Sequence, residues 1–470
     1  MHKKNLDSVI VKSPNVTIKP PEKRSSSLVT LPEKRFDFNT KVQVSHTGGE
    51  LSTDTGLVLV KEMMTQLDFT ALAQQLVHFK DERRYYRHTN VSLLEQVILQ
   101  LIAGYYTDLA ANQLRIDPIF KLLLAKSSLA SQASLSRFWR RCDDQTITSL
   151  QALNQAMLDK VRLAANQTEL IIDIDSTHAD TYGHQEQTDF NAHYGTMGYH
   201  PLVAFDGQNG HCLKAQLRPG NVYTSSEVDP FLTPLLEYYR QSLPCTEVVV
   251  RGDSGFATPE LYATCEANHA FYLIRLKVNR KLSQLAENLI QIDDGQCWEK
   301  TETHYYATTY QAKSWPVPRR IYIKSTRPAG ELLFEHEYLV TNFTSLSAEA
   351  AFTLYRQRGE MENYIKEIKA GFYFDKTDSS RFSDNHARMM LSVLAYNLVS
   401  FMKRLALPER HRGLQINTIR LWLFKIAGKL VHSGRKIQLK LSTYHVHQAL
   451  FYQLLAKIQS IQWQGLYAQR

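Results

Sequence analysis

Between Gly56 and about Asn166 apolar side chains recur at spacings of three and four, as in "LLEQVILQLIAGYY" and "SLQALNQAMLDKVRLAAN", which predicts an all-helical domain. Near Glu169 the period shortens. "ELIIDIDSTH" is a β-branched run with acids at alternate positions, "HPLVAFDG" and "GHCLKAQL" follow as strands across a Gly-containing turn, and "TEVVVRGDSGFA" is a buried strand that ends in a polar loop. "SSEVDPFLTPLLEYYRQSL" and "TPELYATCEANH" read as helices, and "FYLIRL" closes the series as a strand. Strand, strand, strand, helix, strand, helix, strand is the order of an α/β sheet covered by helices. From about Lys281 to Asn342 the aromatic, Pro-punctuated segments "HYYATTYQA", "RRIYIKST" and "FEHEYLVTNF" predict a small β-rich insertion, and helices resume at Ser347.

Composition narrows the class. A chain of 470 residues with 43% apolar content can bury a large core and divide into several domains. The formal charge of +9 favours a polyanionic partner. Much of that charge lies late: after residue 400 twelve Lys and Arg side chains face the single acid Glu409. Residues 1 to about 45, with "KPPEKRSSS", read as a basic, mostly extended or disordered tail. "SSLASQASLSRFWRR", residues 127 to 141, has the form of a turn feeding a helix that ends in Arg137, Arg140 and Arg141, the way a helix-turn-helix presents itself to DNA. Cys142, Cys212, Cys245, Cys265 and Cys297 form no C-x-x-C pair, which argues against a disulfide framework or zinc ribbon and fits a reducing cytoplasm. No apolar run is long enough to span a bilayer, and no apolar leader opens the chain, so no membrane partner is expected.

The candidate chemistry is carried by acids. Asp175 and Asp253 each stand where a strand runs out of apolar residues, the usual place for a site in an α/β fold, and Asp173, two residues earlier on the same strand face, is an alternative to Asp175. If residues 347 to 370 form one helix, Tyr355, Arg358, Glu362 and Lys369 fall within an arc of roughly 60°. Lys366, one turn beyond Glu362, leaves open an ordinary exposed helix with a Glu–Lys pair. Three carboxylates suit Mg²⁺ or Mn²⁺, and two such ions can drive phosphodiester displacement while nearby basic groups hold the phosphates. The histidines form no metal-ligand motif. His178, three residues after Asp175, reads as a turn residue, and Tyr305, Tyr306, Tyr310 and Trp315 as sheet-packing aromatics that could alternatively stack on an unpaired base.

The spacing Tyr355, two residues, Arg358, three residues, Glu362, six residues, Lys369 resembles the Y-(2)-R-(3)-E-(6)-K signature of DDE insertion-sequence transposases. "DST", "RGDSGFA" and "YRQRGEMENYIKEIKAG" occur in the expected order, with "LIAGYYTDLAANQLRIDPIF", "ASQASLSRF", "LRPGN" and "NHARMMLSVLAYNL" adding to the likeness over roughly residues 50 to 440. The resemblance implies a ribonuclease-H-like core sheet with helices, interrupted by a β-rich insertion and preceded by an all-helical N-terminal domain. The implied division is a tail to residue 45, a helical DNA-binding domain over 46–166, core over 167–280 and 346–410 around an insertion at 281–345, and a basic segment over 411–470. Asp175, Asp253 and Glu362 are then catalytic and hold two Mg²⁺ ions, for which Mn²⁺ can substitute, and Tyr355, Arg358 and Lys369 lie against DNA. The implied reaction is cleavage at terminal inverted repeats followed by attack of the freed 3′-hydroxyl, within a homodimer on double-stranded transposon-end and target DNA, in a bacterial cytoplasm. No nucleotide cofactor is expected, because transesterification conserves bond energy and no G-x-x-x-x-G-K-[ST] loop is present. A non-catalytic DNA-binding relic, a resolvase-like nuclease on the same fold and a two-carboxylate hydrolase are the competing readings.

Overall fold

Local chemistry sets the helix limits. The helix Asn90–Ala103 begins where the Thr89 hydroxyl accepts the Ser92 N–H at 3.1 Å and ends at Gly104, whose φ of 95° reverses the chain. Asp143 and Thr146 form a reciprocal capping box at the start of Asp144–Ala164. The long helix Phe382–Leu405 is buried along most of its length and packs against both. The computed structural model describes residues 34–243, 247–290 and 299–463, and resolves into two compact units, 1–49 and 50–470.

In the first unit, Lys34–Phe36 and Asn39–Val44 pair antiparallel. Those residues, expected to belong to an extended or disordered tail, therefore form a hairpin; residues 1–33 of the expected tail lie outside the described residues.

The second unit is built around one mixed sheet of eight strands. Its order is Glu302–Tyr310, Arg319–Arg327, Glu335–Thr341, Phe271–Arg275, Val248–Gly252, Leu170–Ser176, Leu202–Asp206, Cys212–Gln216. Val248–Gly252 runs parallel to both of its neighbours, and the other pairings are antiparallel. The β-rich stretch is thus continuous with the sheet rather than a body apart from it: Glu335–Thr341 pairs directly with Phe271–Arg275. Its aromatics pack, with Trp315 edge-on to Tyr262 and Tyr310 at 5.5 Å each and Tyr305 against Phe352.

The expected turn and helix over 127–141 contains the helix Gln132–Trp139, and the short helix Pro118–Leu123, capped by Asp117, precedes it. The Gln96 amide fixes the connection, donating to Ala130 O at 3.1 Å and accepting its N–H at 2.9 Å. Arg137 and Arg140 are exposed, whereas Arg141 donates to Asn90 Oδ1 at 2.9 Å.

The basic segment after residue 410 is woven into the unit rather than draped over it. Arg420 is buried and donates to Ile102 O at 2.8 Å, Leu101 O at 2.9 Å and Gly371 O at 2.5 Å. Gly428–Ser433 pairs with Lys436–Leu441 on one side and with Leu51–Ser52 on the other. Cys142, Cys212 and Cys265 are buried free thiols; Cys245 and Cys297 lie outside the described residues. Among the described residues, no helix is long and apolar enough to cross a membrane.

His211 sits beneath this core, 2% exposed and edge-on to Phe401 at 4.9 Å, where burial pushes its ionisation from 6.5 down to about 3. The unfolded chain binds this proton below 6.5 and the folded chain does not, so stability falls as pH drops from 6.5 toward 3. At pH 5 the cost is about 2 kcal/mol. The His211→Leu variant is expected to show a shallower loss of urea stability between pH 7 and pH 5 than the parent; equal slopes would remove His211 from the account.

Candidate active site

Asp173 and Arg251 are opposed in register on the parallel strands Leu170–Ser176 and Val248–Gly252. Continuing that register by two residues sets Asp175 level with Asp253, both at the carboxyl ends of adjacent strands about 4.8 Å apart. Asp253 caps a short turn, accepting the Gly255 N–H at 2.9 Å. Asp175 accepts the Ser176 N–H at 2.8 Å. Burial raises the Asp175 ionisation, the Arg358 guanidinium opposes that rise, and the charge of Asp253 adds to it. Two carboxylates that repel each other at a strand end are a cation-seeking arrangement.

Three of the basic and phenolic residues converge on the same strand ends. Arg358 donates through Nη2 to Asp175 Oδ2 at 2.9 Å and to Ile174 O at 3.1 Å. Tyr355 donates to Gly252 O at 3.2 Å, and Lys369 donates to His178 O at 2.7 Å. Beside them runs an open groove lined by Arg275, Lys324, Arg356 and Arg358, whose acid, Glu337, is paired with Lys324 at 3.2 Å.

Glu362 stands apart from this group. Residues 347–370 do not form one helix: Ala348–Arg356 gives way to a 3₁₀ turn at Gln357–Gly359 before Glu360–Phe372. The Glu362 side chain is 69% exposed and lies 4.0 Å from Lys366. Among the described residues, no three carboxylate, imidazole or thiol groups sit close enough to share one ion. The donor chemistry at Asp175 and Asp253 fits a hard divalent cation, and a third protein donor is not beside them in this arrangement.

Asp173, the alternative to Asp175, is differently placed. It is fully buried and held by Arg251, with Nε–Oδ1 at 2.6 Å and Nη2–Oδ2 at 2.7 Å. Arg251 also donates to Leu354 O, on the helix that carries Tyr355.

Two features near the aspartates were not among the candidate site residues. Arg218 of "LRPGN" is fully buried and clamps the following loop through His200 O at 2.9 Å, Thr224 O at 3.3 Å and Ser226 O at 2.5 Å. The Thr224 hydroxyl then lies 3.3 Å from that of Ser176, next to Asp175. Tyr194 stacks on His178 at 4.7 Å and is close enough to Asp175 and Asp253 for their charges to add to burial in raising its ionisation. It belongs to a three-stranded sheet over residues 179–199 whose polar sequence gives no strand pattern.

No curated protein matches this chain. Among solved structures, the cryo-EM structure of a piggyBac transposase synaptic complex with hairpin DNA is similar at 10% identity and a TM-score of 0.38, over 79% of this chain and 80% of that one. The family described as Transposase DDE domain group 1 matches residues 34–463. With nearly the whole chain inside that match, the protein belongs to the DDE transposase family.

Proposed function

We propose that this DDE transposase cuts and rejoins DNA at the ends of a bacterial insertion sequence, with Asp175, Asp253 and Glu362 as the acids that hold Mg²⁺. The observation that carries the reading is the pairing of Asp175 and Asp253 at the ends of adjacent parallel strands, with Arg358 on one of them. The strand order from Cys212–Gln216 through Leu202–Asp206, Leu170–Ser176 and Val248–Gly252 to Phe271–Arg275, antiparallel and then parallel, supports a ribonuclease-H-like core.

Asp175, Asp253 and Glu362 would hold a divalent cation, which would polarise the phosphodiester under attack and stabilise the departing oxygen. The chain's own residues do the rest. Arg358 and the groove cations hold the backbone phosphates, Lys369 fixes the segment after Asp175, and Tyr355 secures the end of the Asp253 strand. Glu362 would complete the donor set from the Glu360–Phe372 helix, where it now lies 4.0 Å from Lys366. A homodimer then holds two ends together for strand transfer to the target.

The test is Mg²⁺-dependent nicking of a labelled duplex carrying the element terminus, by the parent and by Glu362→Gln. Nicking at the boundary that vanishes in the variant while binding persists is the expected result. Binding by both without cutting, in Mg²⁺ and in Mn²⁺, would replace the enzyme with a DNA-binding relic, a reading favoured by the exposure of Glu362.

A further inference from the structure

Between the strand Cys212–Gln216 and the helix Val228–Ser242 the chain runs through "LRPGNVYTSSE", residues 217–227, with no helix or strand of its own. Its carbonyls must therefore find partners outside a regular ladder. They find side chains. The Asn191 amide donates to Gly220 O at 2.8 Å, His200 Nδ1 donates to Val222 O at 2.7 Å, and Arg218 donates to Thr224 O at 3.3 Å and Ser226 O at 2.5 Å. Four alternate carbonyls are thereby fixed. Arg218 is fully buried, and burial pulls its ionisation from 12.5 down to about 10, which leaves it charged at neutral pH. A buried cation is costly unless its donors are used, and this one uses them on the loop and on His200 O at 2.9 Å. At Gly220 an added Cβ would lie 2.2 Å from Gly198 O and 2.3 Å from Asp189 O, so glycine is what lets the loop lie against its neighbours.

What this loop brings to the aspartates is Thr224. Its hydroxyl lies 3.3 Å from that of Ser176, the residue whose N–H donates to Asp175 Oδ1 at 2.8 Å. Its methyl lies against Gly255, the residue whose N–H donates to Asp253 Oδ1 at 2.9 Å: a Cβ added at Gly255 would meet Thr224 Cγ2 at 3.0 Å and Asp253 Oδ1 at 3.1 Å. One side chain thus touches the immediate hydrogen-bond partner of each aspartate. Threonine is β-branched and stiff about its first side-chain bond, so its two arms are fixed relative to each other. The charges of Asp175 and Asp253 push the two strand ends apart, and Thr224 ties both ends to one anchored point.

We propose that Thr224 is a positioning residue for the divalent-cation site, setting the separation of Asp175 and Asp253 by holding Ser176 with its hydroxyl and Gly255 with its methyl. The inference rests on the DNA-cleaving reading above, which supplies the cation. Mg²⁺ demands near-ideal octahedral geometry at short ligand distances, so a loosened pair of carboxylates loses Mg²⁺ more than it loses the larger Mn²⁺. Thr224 touches neither the cation nor the DNA in this account; it acts through the two turns that aim the carboxylates.

The experiment measures ion binding by full-length protein on the element-terminus duplex, with Mn²⁺ followed by the paramagnetic resonance of the free ion and Mg²⁺ by its displacement of Mn²⁺. Asp253→Asn marks the ions that belong to this site. Thr224→Ala, which removes both arms, is expected to lower Mg²⁺ affinity there by roughly 10- to 100-fold, the range for outer partners of metal ligands, and Mn²⁺ affinity by less. Thr224→Ser and Thr224→Val each keep one arm and should each recover part of the loss. A general loss of folded protein lowers both affinities equally and leaves their ratio unmoved, and Thr224→Val, close to the parent in volume, keeps the comparison open should Thr224→Ala fold poorly. Unchanged Mg²⁺ affinity in the variants, or equal losses of the two ions, overturns the positioning role and leaves the DNA-cleaving reading standing. A parent that binds no ion sensitive to Asp253→Asn overturns both.

Discussion

Asparagine in place of Asp175 or Asp253 is expected to lower strand cleavage by on the order of 10³-fold or more, while duplex binding stays within a few-fold of the parent or tightens. The magnitude follows from the several kcal/mol that a bound divalent cation contributes to phosphodiester displacement, at 1.36 kcal/mol for each factor of ten. The preserved binding follows from charge. Asp175 and Asp253 already repel each other at the strand ends, and a polyanion approaching them meets that same negative charge. Removing one carboxylate removes repulsion toward phosphate and leaves the groove cations at Arg275, Lys324 and Arg356 untouched. Single-turnover cleavage and filter binding on the same preparations separate the two effects. A variant that cuts at the parental rate would withdraw that aspartate from the site. The salt dependence of binding should be unchanged in both variants, because neither loses a phosphate contact.

Arg251→Met is expected to destabilise the folded protein by about 3–5 kcal/mol, because it strands the Asp173 carboxylate in the interior without a partner. Burial alone pushes Asp173 toward the neutral acid, and the two Arg251 hydrogen bonds oppose it. The double variant Asp173→Leu, Arg251→Met removes both charges and should regain most of the loss, since well-packed apolar replacements of a buried pair are often neutral or better. Urea unfolding followed by tryptophan fluorescence reads both. A single variant as stable as the parent would mean that the pair is not buried as described. The double variant should nevertheless cleave poorly. Arg251 reaches Leu354 O, so its loss frees the helix that positions Tyr355 and Arg358 even when the core is stable.

Where burial drives structure, the sequence is a good guide. "LIIDIDS" and "VVVRG" are apolar, β-branched and bounded by polar turns, and they occupy the centre of the sheet. The ends of those runs were legible for the same reason, and Asp175 and Asp253 lie there, each with a polar residue, Asp173 or Arg251, two positions earlier within the strand. The sheet over 179–199 was not legible, because its residues are mostly polar and partly exposed and its form is imposed by Asn191, Gly198 and Gly220 rather than by periodicity. The shared face of Tyr355, Arg358, Glu362 and Lys369 was read by assuming a uniform helix. The low helix propensity of Gly359, about 1 kcal/mol below alanine, was the one local sign that the winding changes there. Charge counting fails differently. Arg420 belongs to the late cluster that suggested a polyanion surface, yet its guanidinium is spent on three backbone carbonyls inside the fold. A tally of cations cannot distinguish a surface from a clamp.

That clamp also bears on how the protein comes to exist. The short strand Leu51–Ser52 finds its partner in Gly428–Ser433, and Thr55 bonds to Ile426 across 371 positions of chain. Loop closure of that length comes late, and topologies rich in distant pairings fold slowly. During synthesis the helices over 58–164 emerge first and must wait, with one side of their core uncovered, until the ribosome has delivered most of the remaining chain. Completion of the fold therefore acts as a proofreading step on the length of the polypeptide: a product that stops short of residue 420 lacks the segment that closes the first helices, whatever the state of its aspartates.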